Sequence, residues 1–182
     1  MPSLTPTNPR ARREVWSWLL YDFANTIFSM NILTMYFAQW VVIDQARGDL
    51  WYAVPYSISM VLAAVTMPVL GAVSDLLGNR KRFLINLSLV CIGAVLAIGI
   101  LARLFDPGPG LLLTCLVLFV FANASYEGGI VFYNALLPGI AGPHNTGKIS
   151  GWGVALGYAG AIFGLILVLP FVEGNVFGLD VP

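Results

Sequence analysis

Two carboxylates lie where a carboxylate is costly. Asp22 sits in WLLYDFANT and Glu127 in NASYEGGIVFYN, each inside a long apolar run. An ionisable group at the centre of a bilayer costs about 3 kcal/mol, so those that occur face a protein interior or a watery path. Both belong to polar stripes. Trp18, Asp22, Asn25, Ser29 and Tyr36 recur at steps of three, four and seven, which puts them on one helix face. Asn123, Glu127 and Asn134 share a face in the same way. Such stripes can hold a proton, a cationic group or a polar solute. The competing reading is structural: either carboxylate can bond a hydroxyl on a neighbouring helix. Catalysis by the pair is a distant third, because no nucleophile, metal set or cofactor motif accompanies it. The lone histidine, His144, removes His-based chemistry and most metal sites, and CxxC, HExxH and Walker-type patterns are absent. No metal, cofactor or nucleic-acid partner is therefore expected.

The elements that must carry these stripes follow from composition. Of 182 residues, 58% are hydrophobic and only 10% charged, with a mean hydropathy of +0.83. A soluble domain has about 25% charged residues, so the chain reads as an all-α membrane protein with the lipid bilayer as its first partner. A bilayer-spanning helix needs roughly 20 apolar residues. Five segments meet this, approximately Val15 to Ile43, Trp51 to Ser74, Phe83 to Leu104, Gly110 to Gly139 and Gly151 to Val172. Residues 1–14 are polar and proline-rich and read as a cytoplasmic tail. Residues 173–182 read as an extracytoplasmic end, too short and polar to cross. The links DQARGD, DLLGNRKR, FDPGPG and AGPHNTGK are short enough to force antiparallel neighbours.

Charge sets the expected orientation. With the N-terminus inside, the cytoplasmic segments hold Arg10, Arg12, Arg13, Arg80, Lys81, Arg82 and Lys148, and the outer ones only Arg47 and Arg103. The positive-inside rule selects that arrangement. Asp22 then lies about 9 Å and Glu127 about 16 Å from the inner boundary. Cys91 and Cys115 differ in depth by about 10 Å, too far for a disulfide. On the fifth span Gly153, Gly157, Gly160 and Gly164 form a small-residue face suited to tight helix packing.

The densest charge lies in GAVSDLLGNRKR, between spans two and three. Gly71, Asp75 four residues on, Gly78 three further, and Arg80, Lys81 and Arg82 resemble the signature loop of the major facilitator superfamily. The match departs from that signature at Leu76 and Asn79. WLLYDFANT and FYNALLPGIAGPHNTGKISGWGVALGY look like the branch of vacuolar amino-acid effluxers (autophagy-related protein 22). The resemblance runs from Trp16 to Val172. It implies a transporter of small solutes, amino acids by family, built of two six-helix halves that work by alternating access. The first and fourth helices of each half would line the route, which assigns Asp22, Asn25, Asn123, Glu127 and Asn134 to a substrate or proton pathway. Gly71, Asp75, Gly78, Arg80, Lys81 and Arg82 would form a gating latch, with Asp75 meeting a helix of the second half. Tyr158 and Ala159 stand where antiporters of this kind often carry a proline, which counts against proton antiport and leaves other coupling open.

Five spans correspond to the first five of a six-helix half. The chain is thus expected to be the N-terminal portion of such a permease, inactive without the missing C-terminal helices. Its membrane would be the inner membrane of a bacterium or the vacuolar membrane of a fungus. The alternative is a self-sufficient five-helix scaffold that oligomerises through the glycine face of span five.

Overall fold

The structure is a computed structural model that describes residues 9–142, 144–172, 175–176 and 179–180. Five long helices carry the fold: α1 (Pro9–Asp44), α2 (Leu50–Leu77), α3 (Arg80–Leu104), α4 (Pro109–Ala141) and α5 (Thr146–Val172). All five are long and apolar enough to cross a bilayer. A short antiparallel pairing of β1 (Asn175–Val176) with β2 (Leu179–Asp180) follows them, with Asn175 opposite Asp180.

Helix α1 is already helical at Pro9, six residues ahead of the apolar segment, so part of the expected tail is helical. Likewise α5 starts at Thr146 rather than Gly151. Apolar length marks where a helix is membrane-compatible, not where its backbone bonding begins.

On α2 and α5 the inside is small and the outside large. On α2 the buried residues are Pro55, Ser59, Ala63 and Ser74, whereas Ile58, Val61, Val65 and Val69 are exposed. On α5 the buried positions include Gly153, Gly157, Gly160, Gly164 and Ala161, while Ile162, Phe163 and Ile166 face outward. In water such a surface would drive aggregation. In a bilayer the tails solvate large side chains, and close helix approach through small residues supplies the packing. This inversion, together with the helix lengths, identifies a multi-pass integral membrane protein.

The described residues form two compact units. One draws on Met1–Ala38 and Leu137–Pro182, the other on Gln39–Leu136. In the first unit α1 and α5 pack along the glycine face. A Cβ added to Gly153 would lie 2.6 Å from Trp18 Cζ3, one on Gly157 2.8 Å from Thr26 Oγ1, and one on Gly164 2.7 Å from Asn31 Nδ2. At Gly160 it would collide with the main chain of Phe23, 2.9 Å from its carbonyl carbon. Phe23 and Phe163 flank this seam with ring centroids 5.8 Å apart.

In the second unit α4 supplies the deepest core: Leu112, Cys115, Phe119 and Asn123 are nearly or fully sealed from solvent, as is Phe132. Phe119 meets Tyr52 of α2 at 5.5 Å, and Phe132 meets Phe83 of α3 at 5.4 Å. A Cβ on Gly128 would strike Met67 of α2 at 2.5 Å, so that glycine lets α2 close on α4. Cys91 and Cys115 are both buried free thiols.

Candidate functional site

Polar groups inside the two units fall into three clusters. The first lies on α1. From Phe28 to Tyr36, and again from Trp40 to Asp44, this helix bonds in the wide π pattern. The Phe37 N–H, for example, donates to the Ile32 carbonyl. Small polar side chains compete for main-chain carbonyls just there. Ser29 Oγ donates to the Thr26 carbonyl at 3.0 Å, Asn31 Nδ2 to the Ile27 carbonyl at 2.9 Å, and Thr34 Oγ1 to the Ser29 carbonyl at 2.8 Å. Such bonds offer the backbone an alternative to regular α-helical pairing, and π segments of this kind recur at functional positions.

Asp22 lies one turn N-terminal to Thr26, whose hydroxyl donates to the Asp22 carbonyl at 2.8 Å. The Asp22 carboxylate occupies the notch between two glycines: Oδ2 is 3.3 Å from where a Gly153 Cβ would stand and 3.2 Å from that of Gly157. Trp18 is buried on the same seam. The helical face predicted for Trp18 and Asp22 is therefore turned toward α5, and Asn25 beside it is half-buried. Asn31 escaped the periodic stripe, yet it is buried and its Oδ1 has no hydrogen-bond partner among the described residues.

The second cluster joins α4 to α2. Asn123 Nδ2 donates to Ser59 Oγ at 2.7 Å, and Ser59 Oγ donates onward to the Tyr56 carbonyl at 2.6 Å. Asn123 and Ser59 are fully buried, and Asn123 Oδ1 has no hydrogen-bond partner among the described residues. One turn further, Glu127 is half-buried with no hydrogen bond or ion pair among the described residues. Asn134 is exposed. Ser59 was not singled out by the sequence. Its signal is the four-residue spacing of small residues at Pro55, Ser59 and Ala63.

The third cluster is the signature loop. Gly78 ends α2 in the left-handed region, φ 63° and ψ 23°, and its N–H bonds back to the Asp75 carbonyl. That geometry favours glycine for want of a Cβ. Arg80 Nε donates to Asp75 Oδ1 at 2.7 Å, and its Nη1 donates to the Ala135 carbonyl on α4 at 3.2 Å. One guanidinium thus clasps the end of α2 to the end of α4. Both side chains lie past the apolar segment that ends at Ser74, and Arg80's hydrogen bond holds the Asp75 carboxyl below its ordinary value. Within these helices the partner of Asp75 is therefore Arg80. Lys81 and Arg82 are exposed, and the space beside Gly71 is open.

A family model described as Major Facilitator Superfamily matches residues 3–165. The chain belongs to the major facilitator superfamily. A relative from Bacillus subtilis (strain 168), described as an uncharacterized MFS-type transporter YxiO, is 27% identical over 171 residues. That alignment takes in 90% of this chain and 38% of the relative, so the chain spans well under half of that protein's length. No solved structure matches. Membership in the facilitator superfamily accounts for five apolar helices joined by tight links. The glycine face that a scaffold would need for self-association is already filled by α1.

Proposed function

We propose that these helices form the N-terminal part of a secondary active transporter of the facilitator superfamily, with amino acids as the substrate class. The N-terminus lies in the cytoplasm in this reading, supported by the seven-to-two split of basic residues. The amino-acid assignment draws on the likeness of WLLYDFANT and of the Phe132–Tyr158 stretch to vacuolar effluxers. The observation that carries the reading is Glu127, a half-buried carboxylate inside a 33-residue apolar helix, without a hydrogen bond or ion pair among the described residues. A charge in that setting is retained for a ligand, proton or ion that visits it. Asp22, Asn25, Asn123 and Asn134 complete the polar surface of the pathway helices. Asp75 and Arg80 form the gate, whose exchange between Arg80 and a helix of the other half would accompany opening. By themselves the 182 residues do not move solute, because alternating access needs a second half.

Uptake or efflux of labelled amino acids by cells expressing the whole gene product tests this. Glu127→Gln should lower the rate at least about tenfold, the loss of one charged hydrogen bond to the substrate or coupling ion. An unchanged rate and pH profile would remove Glu127 from the pathway. Transport by the purified 182-residue chain in liposomes would refute its dependence on further helices. A bacterial source would place the protein in the inner membrane and a fungal one in the vacuole, read directly by fractionation.

A further inference from the structure

At the end of α2 remote from the signature loop, α2 and α4 border an apolar groove of about 430 Å³. Trp51, Val54 and Ile58 form one wall, and Leu113, Val117 and Val120 the other. No charged side chain lines it. Trp51 and Ile58 are seven residues apart, about 10 Å along the helix, which fits within one leaflet's share of a 30 Å hydrocarbon core. Arg47 stands at its mouth. Its guanidinium carbon lies 5.3 Å from the centre of the Trp51 ring, and its Nε is buried without a hydrogen-bond partner among the described residues. Asp44 and Asp49 share the link, yet no ion pair to Arg47 occurs among the described residues. A cation with an unpartnered donor among the described residues thus sits beside a slot that only hydrocarbon suits.

We propose that this groove is a phospholipid site, with the phosphate on Arg47 and one acyl chain lying between α2 and α4. The chemistry at the two ends selects the ligand. A guanidinium prefers phosphate oxygens, and the tryptophan places the boundary between headgroup and tail. A water-filled substrate route would need polar groups that this wall lacks. A second protein helix would cover the slot but leave Arg47 without an anion.

The test uses the purified chain reconstituted in vesicles of phosphatidylethanolamine and phosphatidylglycerol, then released for native mass spectrometry. One tightly held phospholipid per chain is expected. Arg47→Gln should reduce its occupancy about tenfold, the loss of a charged hydrogen bond. Val117→Trp, which fills the slot from an exposed position, should reduce it as much, and Arg103→Gln should leave it unchanged. Circular dichroism confirms helicity for each variant. A second readout is fluorescence quenching by phospholipid with brominated chains, compared with Trp51→Phe to isolate Trp51. Quenching of Trp51 should fall in Val117→Phe, which fills the slot without adding a second tryptophan to it. Equal retention in wild type, Arg47→Gln and Val117→Trp overturns the proposal. So does retention of diacylglycerol as strong as that of phospholipid, since the phosphate would then play no part. A shift from oligomer to monomer in Val117→Trp, with no lipid held, would assign the groove to a second copy of the chain and overturn it too.

Discussion

Replacing Gly160 by alanine adds a carbon 2.9 Å from the Phe23 carbonyl carbon and 3.0 Å from its Cα, with the carbonyl oxygen closer still. Carbon atoms rest at about 3.5–4.0 Å, so α1 must withdraw from α5 by roughly 0.5–1 Å. A gap of that size forfeits a quarter to a half of each dispersion contact along the seam. Overpacking costs about 1–3 kcal/mol, and the obstacle here is main chain that cannot rotate aside, so about 3 kcal/mol is expected. Gly157→Ala presses instead on the Thr26 hydroxyl at 2.8 Å. That side chain can turn at the expense of its bond to the Asp22 carbonyl, about 1 kcal/mol. Gly71→Ala has open space around it and supplies the baseline for the helix propensity that alanine adds, up to about 1 kcal/mol. Unfolding of the three variants in mixed micelles by increasing denaturing detergent ranks them. If Gly160→Ala is no less stable than Gly157→Ala, the main-chain contact at Phe23 is not what holds α1 to α5.

Three further outcomes follow from the clusters. Ser59→Ala strands the buried Asn123 amide and should cost about 1–2 kcal/mol. Asn123→Leu removes amide and orphaned oxygen together and should cost about 0.6 kcal/mol or less, in line with hydrogen bonds between membrane helices; the same micelle titration distinguishes them. Gly78→Ala forces a side chain into the left-handed region and should destabilise the end of α2 by about 1 kcal/mol, seen as faster amide exchange from Ser74 to Arg82. Arg80→Lys keeps the charge but not the fork that reaches Asp75 and Ala135 together. In the whole transporter it should therefore slow transport nearly as much as Arg80→Gln, and full activity of the lysine variant would show that charge alone suffices.

The membrane class and the number of helices could be read from composition and apolar length, because burial in a bilayer imposes both. The glycine face of α5 was equally legible as a period, but its neighbour was not. Nothing in the spacing of Gly153, Gly157, Gly160 and Gly164 says that α1 fills it, or that Trp18 and Asp22 turn that way. A helical period fixes which residues share a face and leaves open what the face meets. Asn31 fell outside the stripe because a wider π turn advances the face by a different angle from that of a 3.6-residue turn. The legible sign was the crowding of Ser29, Asn31 and Thr34, all able to bond the main chain. The resemblance gave Asp75 two kinds of partner, a helix of the second half and the basic residues Arg80 and Lys81. Among the described residues it pairs with Arg80, five residues away.

The π-helical stretch of α1 has one more consequence. A ring closed over five residues holds more chain per turn than one closed over four, so Phe28–Tyr36 stores surplus length. Loss of a single amino acid there would tighten the turn to the ordinary α-helical ring and leave both flanks in register. The same loss in the glycine-faced half of α1 would swing every later side chain by about 100°. Within one continuous helix, heredity has slack at one end and none at the other.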